Sequence, residues 1–355
     1  MRRSMALVIC SVVLASCTSA TTAGRSSPMP TSSPSGQSGQ LTMDQRWPVG
    51  PVADIAVGRD AVYVLYSPPT SEGALSNATE TRLGRIDRAS GKLITAGPFP
   101  FARQIALAGG VVWIGPNNQY AGTSAPDSRM LLGVDARSLS TQYRVTLPND
   151  GAQQALVANL ASDSDTVWVA YGRHLYRLAA GSGAMLASHS LLGIATSVAI
   201  DPAGRRLYVG LDSVSSVSNA TITAFDATAL TPLFSATTGG GDLGGPHLAA
   251  GAQDVWVSYA TGMLGQVEHR QASNLAQLPV ASAMHTNGVQ VFEIAGMVWV
   301  SDDMAGQLMC LDPQTGAVRA TWGTLQGGVV DGDGSTLYFG DINGLGSFQP
   351  DPRCL

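Results

Sequence analysis

Six polar residues recur at one register of a repeating strand pattern, and of all the side chains in this sequence they stand where a ligand would be met. They are Asp54, Gln104, Asn159, Ser197, His247 and Gln290, with Gly327 in the seventh copy. Arg103, Gln153, Thr196, His285 and Asn287 lie beside them. An apolar side chain is the ordinary occupant of such a strand position, so a carboxylate, amides, a hydroxyl and an imidazole there suggest a polar face that binds. The simpler alternative is a channel that holds water and is lined by what water tolerates.

His247 and His285 raise a sharper possibility, because an imidazole with Glu293 or Glu268 in reach could act as a general base. Against it, Glu293 falls where two other copies carry Val57 and Leu107. A binding or interaction module is therefore the first expectation, and an enzyme working from His247 and His285 the alternative. No Ser-His-Asp spacing, phosphate loop or dinucleotide fingerprint is present, so no catalytic residue and no cofactor is expected. No cluster of His and Cys points to a metal. Asp331-Gly332-Asp333-Gly334 looks like a piece of a calcium loop, yet it stands where another copy has Asp201-Pro202-Ala203-Gly204 and reads as a turn.

These residues must be positioned by the repeat itself. An aromatic inside a β-branched run marks seven centres: Tyr63, Trp113, Trp168, Tyr208, Trp256, Trp299 and Tyr338. Their separations run from 39 residues (Trp299 to Tyr338) to 55 (Trp113 to Trp168), the period of propeller blades with loops of variable length. Each centre follows a turn such as Gly109-Gly110 or Ala295-Gly296. Each of five is followed by a hairpin such as Phe225-Asp226-Ala227-Thr228 or Leu311-Asp312-Pro313-Gln314-Thr315-Gly316, where Asp caps its own turn and Gly accepts positive φ. The clearest copy is Ile294 to Trp322. The expected fold is all-β, a seven-bladed β-propeller, with six or eight blades as the alternatives.

The V-W-V strands together with the D-x-x-T-G hairpins resemble the broad superfamily of YVTN, PQQ-like and streptogramin-lyase-like β-propellers, over residues 51 to 348. The resemblance implies a fold and little about function, since such propellers host enzymes, binders and scaffolds. Gly244-Gly245-Pro246-His247 is similar to the blade-entry turns of the streptogramin-type lyases, which is what gives the enzyme alternative its form.

The seventh copy lacks an outer strand, and Asp44 to Val49 resembles the outer strands Val318 to Trp322 and Tyr143 to Leu147. That segment is expected to complete the last blade and close the ring, which removes an exposed sheet edge. Cys310 and Cys354 are the pair left in an exported domain and are expected to form a disulfide, with two free buried thiols as the alternative.

Composition limits the remaining choices. With 355 residues, 45% hydrophobic and 13% charged, the chain can bury a large core, and 41 glycines and 19 prolines suit many tight turns. A net charge of −5 without a basic block argues against nucleic acid as a partner. Arg2 and Arg3 followed by the apolar run Met5 to Leu14 read as an export signal. Leu14-Ala15-Ser16-Cys17 resembles the bacterial lipobox, which implies diacylglyceryl and acyl (palmitate-type) modification of Cys17 and anchoring by more than one chain. An ordinary cleaved signal with a chance cysteine is the alternative. The expected organisation is a signal peptide over 1–16, a lipid-anchored Ser/Thr/Gly/Pro-rich linker over 17–43 and the propeller over 44–355. The expected location is the extracytoplasmic side of the cell membrane. The expected partners are the membrane through the lipid and an undetermined protein or small molecule, with the chain itself a monomer.

Overall fold

The computed structural model describes residues 38–354, except 69–79, 118–128, 149–156, 213–219, 239–244, 262–263, 281–288, 303–304 and 325–327. The segment expected as an export signal, and Cys17, therefore lie outside the described residues. Seven sheets form, five of them antiparallel and laid out in chain order from an innermost to an outer strand, while the sixth and seventh each take their outermost strand from the N-terminal segment. The innermost strands are Val52–Val57, Ala102–Ala108, Asn159–Ser162, Ile194–Ile200, His247–Ala250, Val289–Ile294 and Val329–Gly332 for blades one to seven. Each touches the next, and the seventh touches the first, so the blades close into a ring. The chain is a seven-bladed β-propeller.

The strand patterns follow from how blades stack. The second strand of a blade is covered on both faces by neighbouring blades, so it reads as one apolar run: Ala61–Tyr66, Val111–Pro116 and Thr166–Tyr171 are buried at every position. Outer strands such as Thr141–Thr146 and Pro232–Thr237 alternate exposed and half-buried, because one face leans on the next blade and the other meets water. Seven apolar clusters result; that of Tyr63, Leu65, Val112 and Ile114, for example, joins blades one and two.

The repeated aromatics do more than fill space. Tyr63 Oη donates to Ala136 O, Trp113 Nε1 to Ala180 O, Trp168 Nε1 to Ala227 O and Tyr208 Oη to Ala272 O. In each case the aromatic of one blade bonds the hairpin turn of the following blade, so the ring is latched at mid-radius. Trp168 is 1 % exposed and its bond is 2.8 Å. Trp168→Phe is expected to lower the unfolding free energy by about 1–3 kcal/mol, since it orphans a buried carbonyl and leaves a small void. Urea unfolding checks this; a loss below about 0.5 kcal/mol would mean that the bond is incidental to stability.

Gln45–Trp47 pairs antiparallel with Gly344–Phe348 (Gln45 with Ser347, Trp47 with Leu345) and is the outer strand of blade seven, as the sequence suggested. The disulfide between Cys310 and Cys354 is also present, with Cα atoms 6.1 Å apart. One element was not foreseen. Ser38–Gln40, inside the stretch expected as linker, lies parallel on Val318–Gly323 as a fifth strand of blade six. Its own side chains are small or polar, so backbone pairing carries it. Leu41, 8 % exposed, and Met43 then pack among Trp299, Phe339 and Phe348 and hold the register.

Candidate functional site

An innermost strand is paired on one side only, which leaves backbone N–H and C=O groups facing the neighbouring blade without a ladder partner. Several of the polar residues singled out in the sequence answer those groups. Asp54 in blade one accepts through Oδ2 from Ile105 N of blade two at 2.7 Å. Gln104 in blade two accepts through Oε1 from Leu160 N of blade three at 3.0 Å, and its Nε2 donates to Asn159 Oδ1 at 3.4 Å. Asn159 Nδ2 in turn donates to Ala195 O of blade four. Ser197 Oγ donates to Pro246 O at the entrance of blade five. Between blades six and seven the corresponding contact comes from the second strand, where Ser301 Oγ accepts from Gly328 N. Removing one such clamp leaves a half-buried N–H without an acceptor, so Gln104→Ala is expected to cost about 1–3 kcal/mol. Urea unfolding of that variant reads the number, and a neutral result would mean that the contact does not hold blades two and three together.

Arg103, Thr196, His247 and Gln290 stand differently. Arg103 is the extra residue of a β-bulge, since Ala102 pairs with Pro116 and Gln104 already pairs with Gly115. A bulge turns a side chain out of the ordinary alternation. Arg103 is exposed, and its guanidinium has no hydrogen bond among the described residues. Thr196 is the bulged residue of blade four and donates through Oγ1 to Pro246 O at 3.1 Å. His247 pairs with Ser258 and Gln290 with Ser301, at the same level as the clamps. His247 is exposed at the start of the innermost strand of blade five, among the surrounding blade walls. Crowding by the blade walls, aided by the Arg103 charge, therefore pushes the imidazole down from its usual range and leaves it neutral at pH 7.

The sequence's other candidates fall as follows. His285, Gln153, Asn287 and Gly327 lie outside the described residues. Val329, not Gly327, takes the seventh place in the ring, because Val329 is the residue paired with Gly340. Neither acid offered as a partner for His247 is beside it. Glu268 sits on the third strand of blade five, buried, where it accepts from Tyr259 Oη at 2.6 Å and from Arg270 Nε at 2.7 Å. Glu293 is opposite Val298, three residues beyond the level of Gln290, or roughly 10 Å along the strand.

At that other end the channel opens into a cavity of about 800 Å³ lined by Asp54, Asp163, Asp201, Glu293 and Asp331, with no Lys, Arg or His among the described residues of its wall. Burial holds Asp54 up at about 7, against the pull of its two backbone N–H donors and Arg103. It holds Asp331 up at about 6 and raises Glu293 as well. Asp331 is the residue that sequence reasoning missed. Read as part of a turn, it is on the innermost strand opposite Tyr338, where other blades carry Ala56, Ala106, Ala161, Ala199 and Ala249. Its Oδ2 accepts from Val57 N of blade one at 2.7 Å, which is the clamp that closes the ring. Aligning Asp333 with Asp201 as the turn-capping residue would have exposed the shift, for Asp333 Oδ1 takes the N–H groups of Ser335 and Thr336. Among the described residues no three His, Cys, Asp or Glu side chains come together as a metal site.

No protein-family model matches this chain, and no curated protein matches it. Solved structures do. BamB from Moraxella catarrhalis is 15% identical with a TM-score of 0.54, over 83% of this chain and 84% of that one. A chain of the hydrazine synthase of Kuenenia stuttgartiensis is 12% identical with a TM-score of 0.65, over 86% of this chain and 97% of that one. The WD40 domain of Pan2 from Neurospora crassa is 13% identical with a TM-score of 0.58, over 84% and 88%. At these identities the likeness is one of fold.

Proposed function

We propose that this chain is a cell-envelope lipoprotein, anchored through Cys17 on the extracytoplasmic side of the membrane, whose propeller binds a ligand or protein partner at the Arg103 mouth of its central channel. The lipobox-like Leu14-Ala15-Ser16-Cys17 behind an apolar run supports the anchoring. The observation that carries the binding reading is the bulged Arg103. It is an exposed guanidinium with no hydrogen-bond partner among the described residues, set on an innermost strand, with the neutral His247 and the Gln290 amide at the adjoining level of the ring. Five N–H donors in a planar fork suit an anionic group, either a carboxylate or a phosphate. Enzyme chemistry has less support, because Glu268 and Glu293 both stand away from His247.

Two measurements separate the parts of this reading. Cys17→Ala is expected to move the protein from the membrane fraction to the soluble envelope fraction; unchanged fractionation would remove the lipid anchor. Arg103→Ala is expected to weaken calorimetric binding of citrate or inorganic phosphate at least tenfold while shifting stability by under about 0.5 kcal/mol, the usual limit for a surface change. Wild-type protein that binds neither probe would remove the anion mouth.

A further inference from the structure

Blades one to five share a tie that blade six cannot make. In each, the second residue of the outer hairpin donates its backbone N–H to the residue just before the second strand of the same blade. The bonds are Arg88 N to Asp60 O, Ala136 N to Gly110 O, Ala180 N to Asp165 O, Ala227 N to Arg205 O and Ala272 N to Gln253 O. In blades two to five the carbonyl of that residue is also the latch point, which receives Tyr63, Trp113, Trp168 and Tyr208 from the preceding blade. The N–H thus fixes the residue whose C=O the neighbouring blade uses.

In blade six the same place is held by Pro313, which has no N–H to give. The hairpin itself forms, with Asp312 N on Ala317 O and Gly316 N on Asp312 O. Trp256 of blade five also lies over it in the usual way. A Cβ added to Gly316 would stand 3.4 Å from the Trp256 ring, as one added to Gly183 would stand 3.0 Å from that of Trp113. Yet Trp256 Nε1, on a side chain that is wholly buried, has no acceptor. Its ring stacks at 4.1 Å on His269, whose Nδ1 is likewise buried and unpaired. A buried donor without an acceptor opposes closure, and access to water relieves it. Cover from outside is thin as well, because the outer strand of blade five is only Gln277–Leu278, where Thr141–Thr146 and Pro232–Thr237 have six residues.

We propose that the joint between blades five and six is the yielding joint of this ring, left unlatched by Pro313, and that the closed propeller opens there before it opens at the latched joints. The two joints beyond it have ties of their own, the Cys310–Cys354 bridge from blade six to the tail after blade seven and Trp47 Nε1 on Gly91 O from blade seven to blade one. The innermost strands on either side of the yielding joint carry His247 and Gln290, so opening parts those two residues. The opening itself does not depend on what the channel binds.

Hydrogen exchange of the tryptophan indole N–H groups in the full chain, read by NMR, tests this. Trp256 is expected to exchange about tenfold faster than Trp113 and Trp168, the scale set by one unmade buried bond. Pro313→Ala supplies the missing N–H, with Gly296 just before Met297–Asp302 as its acceptor. That variant is expected to slow Trp256 by about tenfold and to leave Trp113 and Trp168 unchanged. Ala180→Pro, the reverse change in blade three, is expected to speed Trp113 by a similar factor. Opening is read separately by thiol labelling of Val300→Cys, in the apolar cluster between blades five and six, against Val169→Cys between blades two and three. The first is expected to react about tenfold faster. Melting temperature alone would not serve, because replacing a proline also loosens the unfolded chain. Equal indole exchange in the wild type, a Trp256 rate unmoved by Pro313→Ala, a Trp113 rate unmoved by Ala180→Pro, or equal labelling of the two cysteines would each overturn the proposal. If Ala180→Pro does not fold, the other three readings decide.

Discussion

Trp47→Ala is expected to lower the unfolding free energy by about 3–5 kcal/mol, the range for emptying a large buried aromatic site. Trp47 belongs to the three-residue strand that completes blade seven, yet it reaches further than its own sheet. Its Nε1 donates to Gly91 O, in a hairpin of blade one, at 3.0 Å. Its ring is 6.4 Å from Tyr338 and packs in the cluster of Val49, Ile55, Val62 and Leu345 that spans blades seven and one. The residue thus joins blade seven to a hairpin of blade one much as Trp113 and Trp168 latch interior joints. Since Gln45–Trp47 runs on directly into Val52–Val57 of blade one, the closure it supports is the non-covalent pairing with Gly344–Phe348 inside blade seven. Arg46→Ala, on the exposed neighbouring position, is the control and should change stability by no more than about 0.5 kcal/mol. Urea unfolding of both variants decides the matter. A loss under 1 kcal/mol for Trp47→Ala would mean that the N-terminal arm decorates the propeller without closing it.

Cys310→Ser and Cys354→Ser should each cost about 4 kcal/mol. The bridge closes a loop of 44 residues, for which the chain-entropy account gives that magnitude. Both cysteines are buried, Cys310 at 0 % and Cys354 at 1 %, among Trp299, Leu308 and Phe348. The bond ties the third strand of blade six to the tail that follows blade seven. Blade seven is therefore held from both chain ends, by the arm at Gln45–Trp47 and by the disulfide. Because the two devices secure the same blade, their losses should not add: the combination of Trp47→Ala with Cys354→Ser is expected to show a coupling above about 0.5 kcal/mol. Reduction of the wild type should reproduce the cysteine variants. If reduced and oxidised protein unfold at the same urea concentration, the bridge does not contribute to stability.

Much of the architecture could be read in advance because stacking leaves a mark on composition. A second strand buried on both faces must be apolar throughout and carries one large aromatic per blade, so Trp113, Trp168, Trp256 and Trp299 announce the period. Trp47 could be placed because an outer strand alternates, and Arg46-Trp47 shares that pattern with Thr321-Trp322. Ser38–Gln40 left no such mark, since strand addition through the backbone asks nothing of Ser, Gly and Gln. Asp331 misled for a related reason: Asp-Gly-Asp-Gly is turn chemistry in any local reading, and only pairing with Tyr338 assigns its first two residues to the strand.

The sequence alone pointed to a propeller of seven blades with six or eight left open, to a strand that closes the last one, to a pairing of Cys310 with Cys354 against two free thiols, and to the polar ring on the innermost strands, because each is written in residues that repeat or pair by type. The tertiary structure decided what the polar ring does. Asp54, Gln104, Asn159 and Ser197 turn inward to answer unpaired backbone groups of a neighbouring blade, while Arg103, pushed out by a bulge, and His247 are left to the channel. That division depends on which N–H or C=O of the next blade lies within about 3 Å, a distance set by the packing of blades some 40 to 55 residues apart in the chain and carried by no local pattern.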